Sequence, residues 1–278
     1  VSEPGGRMSA QERRERIIEL LATGSEGALQ VESLSEELGV SLATVRRDLT
    51  RLREEGRITR TYGGAVLGNT AEMSIRQRRM RNVRQKDAVA QRAAELVDDG
   101  QVILLDAGTT TERLARHLRG FDGLTVFTNG LGPINTLVED GDVDVVVLGG
   151  RLRRINQTMT GPVADQVVAG LYADVAFLGA DAVHPVRGIA SRTFEQSSLK
   201  TLMSRHARQV VVVADSTKLG DDGDSYAYWS PLTGPWTLVT DDGAEPEALD
   251  VLRRASDPEP RILVAPVDPV AERIEEGS

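Results

Sequence analysis

The chain has 278 residues and a formal net charge of −9, and it is 40% hydrophobic but only 4% aromatic. On the usual scale of about 100–200 residues per domain, that length suits two domains whose cores are aliphatic. The chain has no cysteine, which excludes disulfides, thiol catalysis and cysteine zinc sites and suits a reducing cytoplasm, the expected location.

Residues 1–8 read as a disordered tail, with Pro4, Gly5 and Gly6 in succession. Ser9 and Glu12 make a capping box for a first helix, and Ile17, Ile18 and Leu21 give it an apolar face. Gly24 and Gly27 end it. A short second helix carries Leu34 and Leu38, and Gly39 breaks it. Ser41 caps a third helix. There Leu42, Val45, Leu49 and Leu52 are spaced as one buried stripe, with Arg46, Arg47 and Arg51 off it. Gly56 stops the helix. Residues 57–62 alternate as a strand, and Gly63-Gly64 turns it back into a hairpin.

Helix, glycine turn, helix and hairpin together read as a winged helix-turn-helix over residues 9–66, a module for duplex DNA. The acidic net charge is no objection, because phosphate contacts are local. Residues 41–62 hold six arginines against three acids, a local charge of +3. The third helix is the expected reader of the major groove. Ser41, Leu42 and Thr44 stand at its start, Arg46 and Arg47 one turn deeper, and Arg51 beyond. Arg60 and Tyr62 on the wing are in reach of phosphate or the minor groove.

Residues 67–86 read as a linker and connecting helix. Arg76, Arg78, Arg79, Arg81, Arg84 and Lys86 make it basic, either as a solvated face or as a second strip for phosphates. From 87 to 265 apolar runs alternate with helical segments. The predicted strands are 101–106, 124–128, 143–148, 174–179, 209–214, 237–240 and 261–265. Continuous apolar runs suit strands buried on both faces, so the second domain is expected to be an open α/β sheet. No apolar run reaches the roughly 18 residues that span a bilayer, and no signal peptide is evident. His117, His184 and His206 lie far apart without metal-ligand spacing, and no metal or cofactor is expected.

The stretch GVSLATVRRDLTRLREEGRITRTYGGA (39–65) resembles the signature of the DeoR family of bacterial transcriptional regulators. The second half carries motifs similar to that family's sensor: DAGTTT (106–111), FTNG (127–130), LGG (148–150), FLGAD (177–181), ADSTK (214–218) and VTDD (239–242). The resemblance implies an N-terminal winged helix joined to a sensor domain similar in fold to ribose-5-phosphate isomerase. It also implies repression of a carbohydrate operon, a phosphorylated sugar as effector, and a homodimer or homotetramer on double-stranded operator DNA.

The residues point to the same place. Each motif follows a predicted strand, and ligands of open α/β sheets bind beyond the carboxyl ends of the strands. Gly108, Thr109 and Thr110 open a helix whose positive end suits a phosphate, with Lys218 as counter-charge. Asp106, Asn129, Asp181 and Glu195 are candidates for sugar hydroxyls, and Lys200 either pairs with Glu195 or touches the ligand. Each has a plainer reading: Asp106 as a helix cap, Gly149-Gly150 as a turn, Lys218 as solvated. The stretch 182–200 departs from the family's usual residues, with Glu195-Gln196 where two acids often stand, and residues 221–234 suggest no role for Tyr226, Tyr228 or Trp229. An active sugar-phosphate isomerase fused to a DNA-binding domain is the alternative. It would need a general base such as Asp106, Asp181 or Glu195, and no second acid–base partner stands out.

Overall fold

The computed structural model describes residues 8–23, 28–54, 58–61, 64–67, 72–139, 143–220 and 226–267, in two compact units, Val1–Met73 and Ser74–Ser278. The first unit runs α1 (Ala10–Thr23), β1 (Ala28–Gln30), α2 (Val31–Leu38), α3 (Leu42–Glu54), β2 (Ile58–Thr61) and β3 (Gly64–Leu67). The Ser9–Glu12 capping box forms at both ends, Ser9 N to Glu12 Oε2 at 2.9 Å and Glu12 N to Ser9 Oγ at 3.2 Å. After α2, Val40 N bonds Ser35 O and Gly39 N bonds Glu36 O, the paired closure that leaves Gly39 at φ +62°. Ser41 Oγ then accepts Thr44 N at 3.2 Å and starts α3. The β2–β3 hairpin is antiparallel, with Thr61 opposite Gly64, and β1 adds a third strand on β3 that the sequence reading did not anticipate. Gly24, Gly27, Gly56 and Gly63 lie outside the described residues.

The core of this unit is Ile17, Val31, Leu34, Val45, Leu49 and Leu52. Leu42 departs from the expected stripe, being 38% exposed. Its angular position matches that of Leu49, but the cluster packed by α1 and α2 reaches along α3 only as far as Val45. Periodicity reports position around a helix, not along it. Beside the stripe Asp48 is buried against Arg13 at 2.5 Å, so one of the three local acids is neutralised from within.

The second unit opens with α4 (Ile75–Met80) and α5 (Val83–Ala94). There follow β4 (Val102–Leu105), α6 (Thr109–Leu118), β5 (Thr125–Thr128), α7 (Leu131–Glu139) and β6 (Asp144–Val147). A hairpin of β7 (Arg151–Arg153) and β8 (Thr158–Thr160) leads to α8 (Pro162–Ala169) and β9 (Ala173–Gly179). Then come β10 (Val183–His184), β11 (Gly188–Ser191), α9 (Phe194–Arg205), β12 (Ala207–Val213), β13 (Tyr228–Ser230), β14 (Trp236–Asp241), α10 (Pro246–Ala255) and β15 (Arg261–Ala265). The seven expected strands form one all-parallel sheet in the order β15-β14-β12-β9-β4-β5-β6.

Alternate residues of each central strand enter two cores. Leu104, Ala176, Leu178, Val210, Val212 and Leu238 face α8, α9 and α10. Ile103, Leu105, Val126, Phe177, Val211 and Val239 face α5, α6 and α7. Burial on both faces is why these segments read as unbroken apolar runs. β4, β5 and β6 march one way from the centre and β9, β12, β14 and β15 the other, so the order reverses between β4 and β9. Chains leaving neighbouring strands in opposite directions open a crevice there.

Ser74–Lys86 is more than a connection: it belongs to the second unit. Ser74 and Gln77 form a capping box on α4, Ile75 is buried, and Ile75 N donates to Ile155 O at 2.8 Å.

Candidate functional site

In the first unit the free side of α3 presents Ser41, Leu42, Arg46, Arg47 and Arg51, all exposed, with Thr44 partly so. Ser41 Oγ and Thr44 Oγ1 lie 2.9 Å apart, so each hydroxyl is oriented by the other. The stripe of Val45, Leu49 and Leu52 turns this arginine side outward. Arg60 lies on β2 opposite Ala65, and Tyr62 is outside the described residues. Cations on the exposed face of a helix, with a serine-capped end leading, suit a polyanion whose charges are spread over a surface.

The second unit assembles its charges differently. Asp106 ends β4, is 2% exposed, and accepts Gly179 N from the end of β9 at 3.2 Å, bridging the crevice. Lys200 on α9 sits 3.0 Å from Asp106 Oδ2 and also donates to Gly179 O. Lys200 therefore pairs with Asp106 and not with Glu195. Asp106 is no helix cap either, since Gly108 takes that position on α6. Gly108 has no side chain to cap with, and Thr109 and Thr110 are buried at the helix start. Asn129 accepts Ala107 N at 2.8 Å and donates to Thr158 at 3.1 Å, so its amide holds the loop in place.

Across the crevice stands Asp181. Arg78 of α4 donates to it at 2.6 Å. Burial alone would raise its carboxyl, but the positive charges of Arg78, Lys200, Lys218 and Arg192 outweigh that and hold it below the ordinary value. Lys218 lies on the single helical turn Ser216–Lys218 after β12. Burial lowers its ammonium, as does the charge of Arg78, against the pull of Asp215 and Asp181. Asp241 fixes that turn by accepting Ser216 N at 2.7 Å and Gly243 N at 3.1 Å.

The basic segment of α4 and the first turn of α5 supplies the roof, and the reading of it as a solvated strip fails for half its cations. Arg79 grips both carboxylate oxygens of Glu112 on α6, at 2.9 and 3.1 Å. Asn82, left-handed at φ 50°, donates to Asp215 at 2.9 Å and Thr217 at 3.1 Å. Lys86 is 5% exposed and donates to the carbonyls of Arg78 and Arg81 at 2.7 and 2.8 Å. Burial lowers its pKa to about 8; Asp215 opposes this, while Arg78, Lys218 and Arg113 reinforce it. Arg76, Arg81 and Arg84 are exposed.

The unassigned aromatic segment also acts here. β13 joins β10 and β11 in a small sheet, the Tyr226 hydroxyl donates to Asp181 O at 3.2 Å, and Trp229 donates to Tyr226 O at 3.0 Å. Arg192 lies 4.6 Å above the Tyr226 ring. Glu195 is elsewhere. It lines a groove of about 990 Å³ with Thr193, the β7–β8 arginines and the start of α8. Gly150 at its rim sits at φ +99°, and a Cβ there would meet Thr160 O at 2.5 Å, so that turn requires glycine. Among the described residues no group of three His, Asp or Glu is placed to hold a metal, and no helix is long and apolar enough to cross a membrane.

Two family models match: the DeoR-like helix-turn-helix domain over residues 13–71 and the DeoR C terminal sensor domain over residues 81–242. The HTH-type transcriptional regulator GlpR of Haloferax volcanii is 38% identical over 215 residues, 77% of this chain and 83% of the relative. The lactose phosphotransferase system repressor of Staphylococcus epidermidis is 30% identical over 221 residues, 77% and 86% of the two chains. The solved ribose 5-phosphate isomerase A of Methanocaldococcus jannaschii is 21% identical, with a TM-score of 0.36 over 49% of this chain and 53% of that one. With a DNA-reading unit, a sensor unit and relatives that are regulators and not enzymes, the chain belongs to the DeoR family of DNA-binding transcriptional regulators.

Proposed function

We propose that the protein represses genes of carbohydrate metabolism and that a phosphorylated sugar, bound in the crevice between β4 and β9, sets its affinity for operator DNA. The observation that carries the reading is the concentration of cations, Lys86 buried and Arg78 and Lys218 half-buried, at the carboxyl ends of the strands, where the start of α6 has no side-chain cap. Burying a cation is costly unless an anion meets it, and a phosphate is the small anion that suits such a place. Gly108, Thr109, Thr110 and Lys218 contact the phosphate, and Asp181 accepts from the sugar. Asp106, Asn129 and Lys200 hold the loops that make the crevice, and Glu195, in the groove beside β7 and α8, takes no part in this contact. The relative named for the lactose phosphotransferase system lends support to a carbohydrate role.

On the DNA side Ser41, Leu42, Thr44, Arg46, Arg47 and Arg51 read the major groove, and Arg60 and Tyr62 contact the backbone or minor groove. Two winged helices, in a homodimer or homotetramer acting in the cytoplasm, meet a repeated operator. Effector and operator are coupled by about 1–3 kcal/mol, the usual scale of allostery.

The test is a thermal-shift panel of pentose and hexose phosphates beside the same sugars without phosphate. The expected result is stabilisation by one or a few phosphorylated members only, with a matching change in operator affinity. Stabilisation by the unphosphorylated sugars alone, or loss of the phosphorylated substrate by turnover at an enzyme-like rate, would sink the reading.

A further inference from the structure

α4 straddles the crevice. Arg78 reaches Asp181 beyond β9, and its neighbour Arg79 reaches Glu112 on α6, on the other side of the reversal point. The Asp181 carboxylate therefore has Arg78 in contact, while Lys200, Lys218 and Arg192 lie close enough to act on its charge. A phosphate monoester offers the same cations more charge than a carboxylate does. It carries about −1.5 to −2 charges and three terminal oxygens, and it takes a guanidinium in the same two-pronged way as a carboxylate. Internal carboxylate and incoming phosphate thus compete for one guanidinium.

We propose that Asp181 is a built-in stand-in for the effector's phosphate, and that binding exchanges Asp181 for that phosphate on Arg78. Arg78 is then an effector ligand as well as the residue that registers binding, and the freed Asp181 turns to a sugar hydroxyl. This rests on the crevice being the effector site. Arg78 lies five residues beyond Met73, where the first unit ends, and α4 is tied to the second unit by the backbone bond of Ile75 to Ile155, by Arg79 to Glu112 and by Lys86 to the Arg78 carbonyl. A change of partner at Arg78 is a change at the root of the chain that leads to the DNA-reading unit. No other basic residue of the described α4 has a carboxylate of β9's loop as its partner.

The test uses the full chain and inorganic phosphate, titrated against chloride at matched ionic strength and followed by calorimetry. A merely structural Asp181 would make Asp181→Asn bind phosphate less well. Competition makes the opposite prediction: Asp181→Asn binds about tenfold tighter than the unchanged chain, since a charged hydrogen-bond competitor is gone. Arg78→Gln abolishes that gain in the double variant, and Arg78→Lys restores part of it, which separates loss of the contact from loss of the fold. In the unchanged chain phosphate also raises amide hydrogen exchange across residues 74–82. Should phosphate bind, with Lys218→Ala weakening it, while Asp181→Asn and Arg78→Gln leave affinity as it was, the exchange is overturned and the crevice reading stands. Should phosphate bind none of the folded variants, at up to 100-millimolar order, both fall. Binding without any change in exchange at 74–82 overturns the role of Arg78 in signalling.

Discussion

The two units use positive charge in opposite ways. On α3 of the first unit Arg46 and Arg47 stand exposed, side by side, on a face that buries nothing. In the second unit Arg78, Lys86, Lys200 and Lys218 are drawn inward, each held against a carboxylate or carbonyl or within its field. An exposed arginine keeps its hydration and acts at a distance, weakly and subject to salt. A buried one has already lost its water and acts only on what enters its cavity, strongly and with exact partners. The first arrangement suits a long polyanion; the second suits one small anion. On the proposed reading, the units divide the labour of recognising phosphate by how far each withdraws its cations from solvent.

The contrast is tested most severely where a buried cation is removed. Lys200→Met leaves Asp106, 2% exposed, without its ammonium partner. Losing one member of a buried pair costs about 3–5 kcal/mol, because a charge is stranded. Urea unfolding should show that loss, and Asp106→Asn in the same chain should recover part of it. The matching change in the first unit, Arg13→Met, should cost less. Arg14 lies 3.9 Å from Asp48 and remains as a second cation. Equal losses would mean that the second unit's pairs are no more committed than the first's.

The exposed side should behave otherwise. Arg47→Ala should leave stability unchanged within about 0.5 kcal/mol, the usual range for surface changes. It should weaken binding to duplexes selected by the unchanged chain by about 1–3 kcal/mol if Arg47 reads a base. If it meets phosphate instead, the loss is the same on every sequence and the salt slope falls by about one. Fluorescence anisotropy across a salt series separates the two. An unchanged affinity on every duplex would remove Arg47 from the interface.

The same division explains what was legible in the sequence. All seven strands of the large sheet could be read, because burial on both faces leaves an unbroken apolar run. The α3 stripe could be read around the helix but not along it, hence Leu42. The cations of α4 and α5 could not be placed. A lysine whose stem is buried and whose head meets a carbonyl looks, in sequence, like one in water. Arg78 meets Asp181 across 103 residues and Asn82 meets Asp215 across 133, and no periodicity spans such intervals. The short strands β7, β8, β10, β11 and β13 were missed for a related reason: none carries the unbroken apolar run that marks the large sheet. The motif loops 106–111, 177–181 and 214–218 could be placed at one end of the sheet, but not the assignment of Lys200 to Asp106 in preference to Glu195.

Lys86 gives the smallest effect and the cleanest sign. Its pKa falls from 10.5 to about 8, with burial the leading cause. The folded chain therefore releases this proton at a lower pH than the unfolded chain does. Below about pH 8 the ammonium is charged in both states, and the folded state bears the full penalty of burying it. As pH rises from there toward 10.5 the folded state sheds the charge first, the unfolded state binds more protons, and stability increases. Between pH 7 and pH 9 the gain from this one group is roughly 1 kcal/mol, on the scale of about 1.4 kcal/mol per pKa unit. Lys86→Met should remove that rise from a series of unfolding curves, whatever it costs through the two carbonyls it leaves behind. Arg47→Ala, on the exposed side, should leave the rise intact. A Lys86→Met chain with the same pH slope as the unchanged one would mean that water reaches this ammonium as freely as it reaches the arginines of α3.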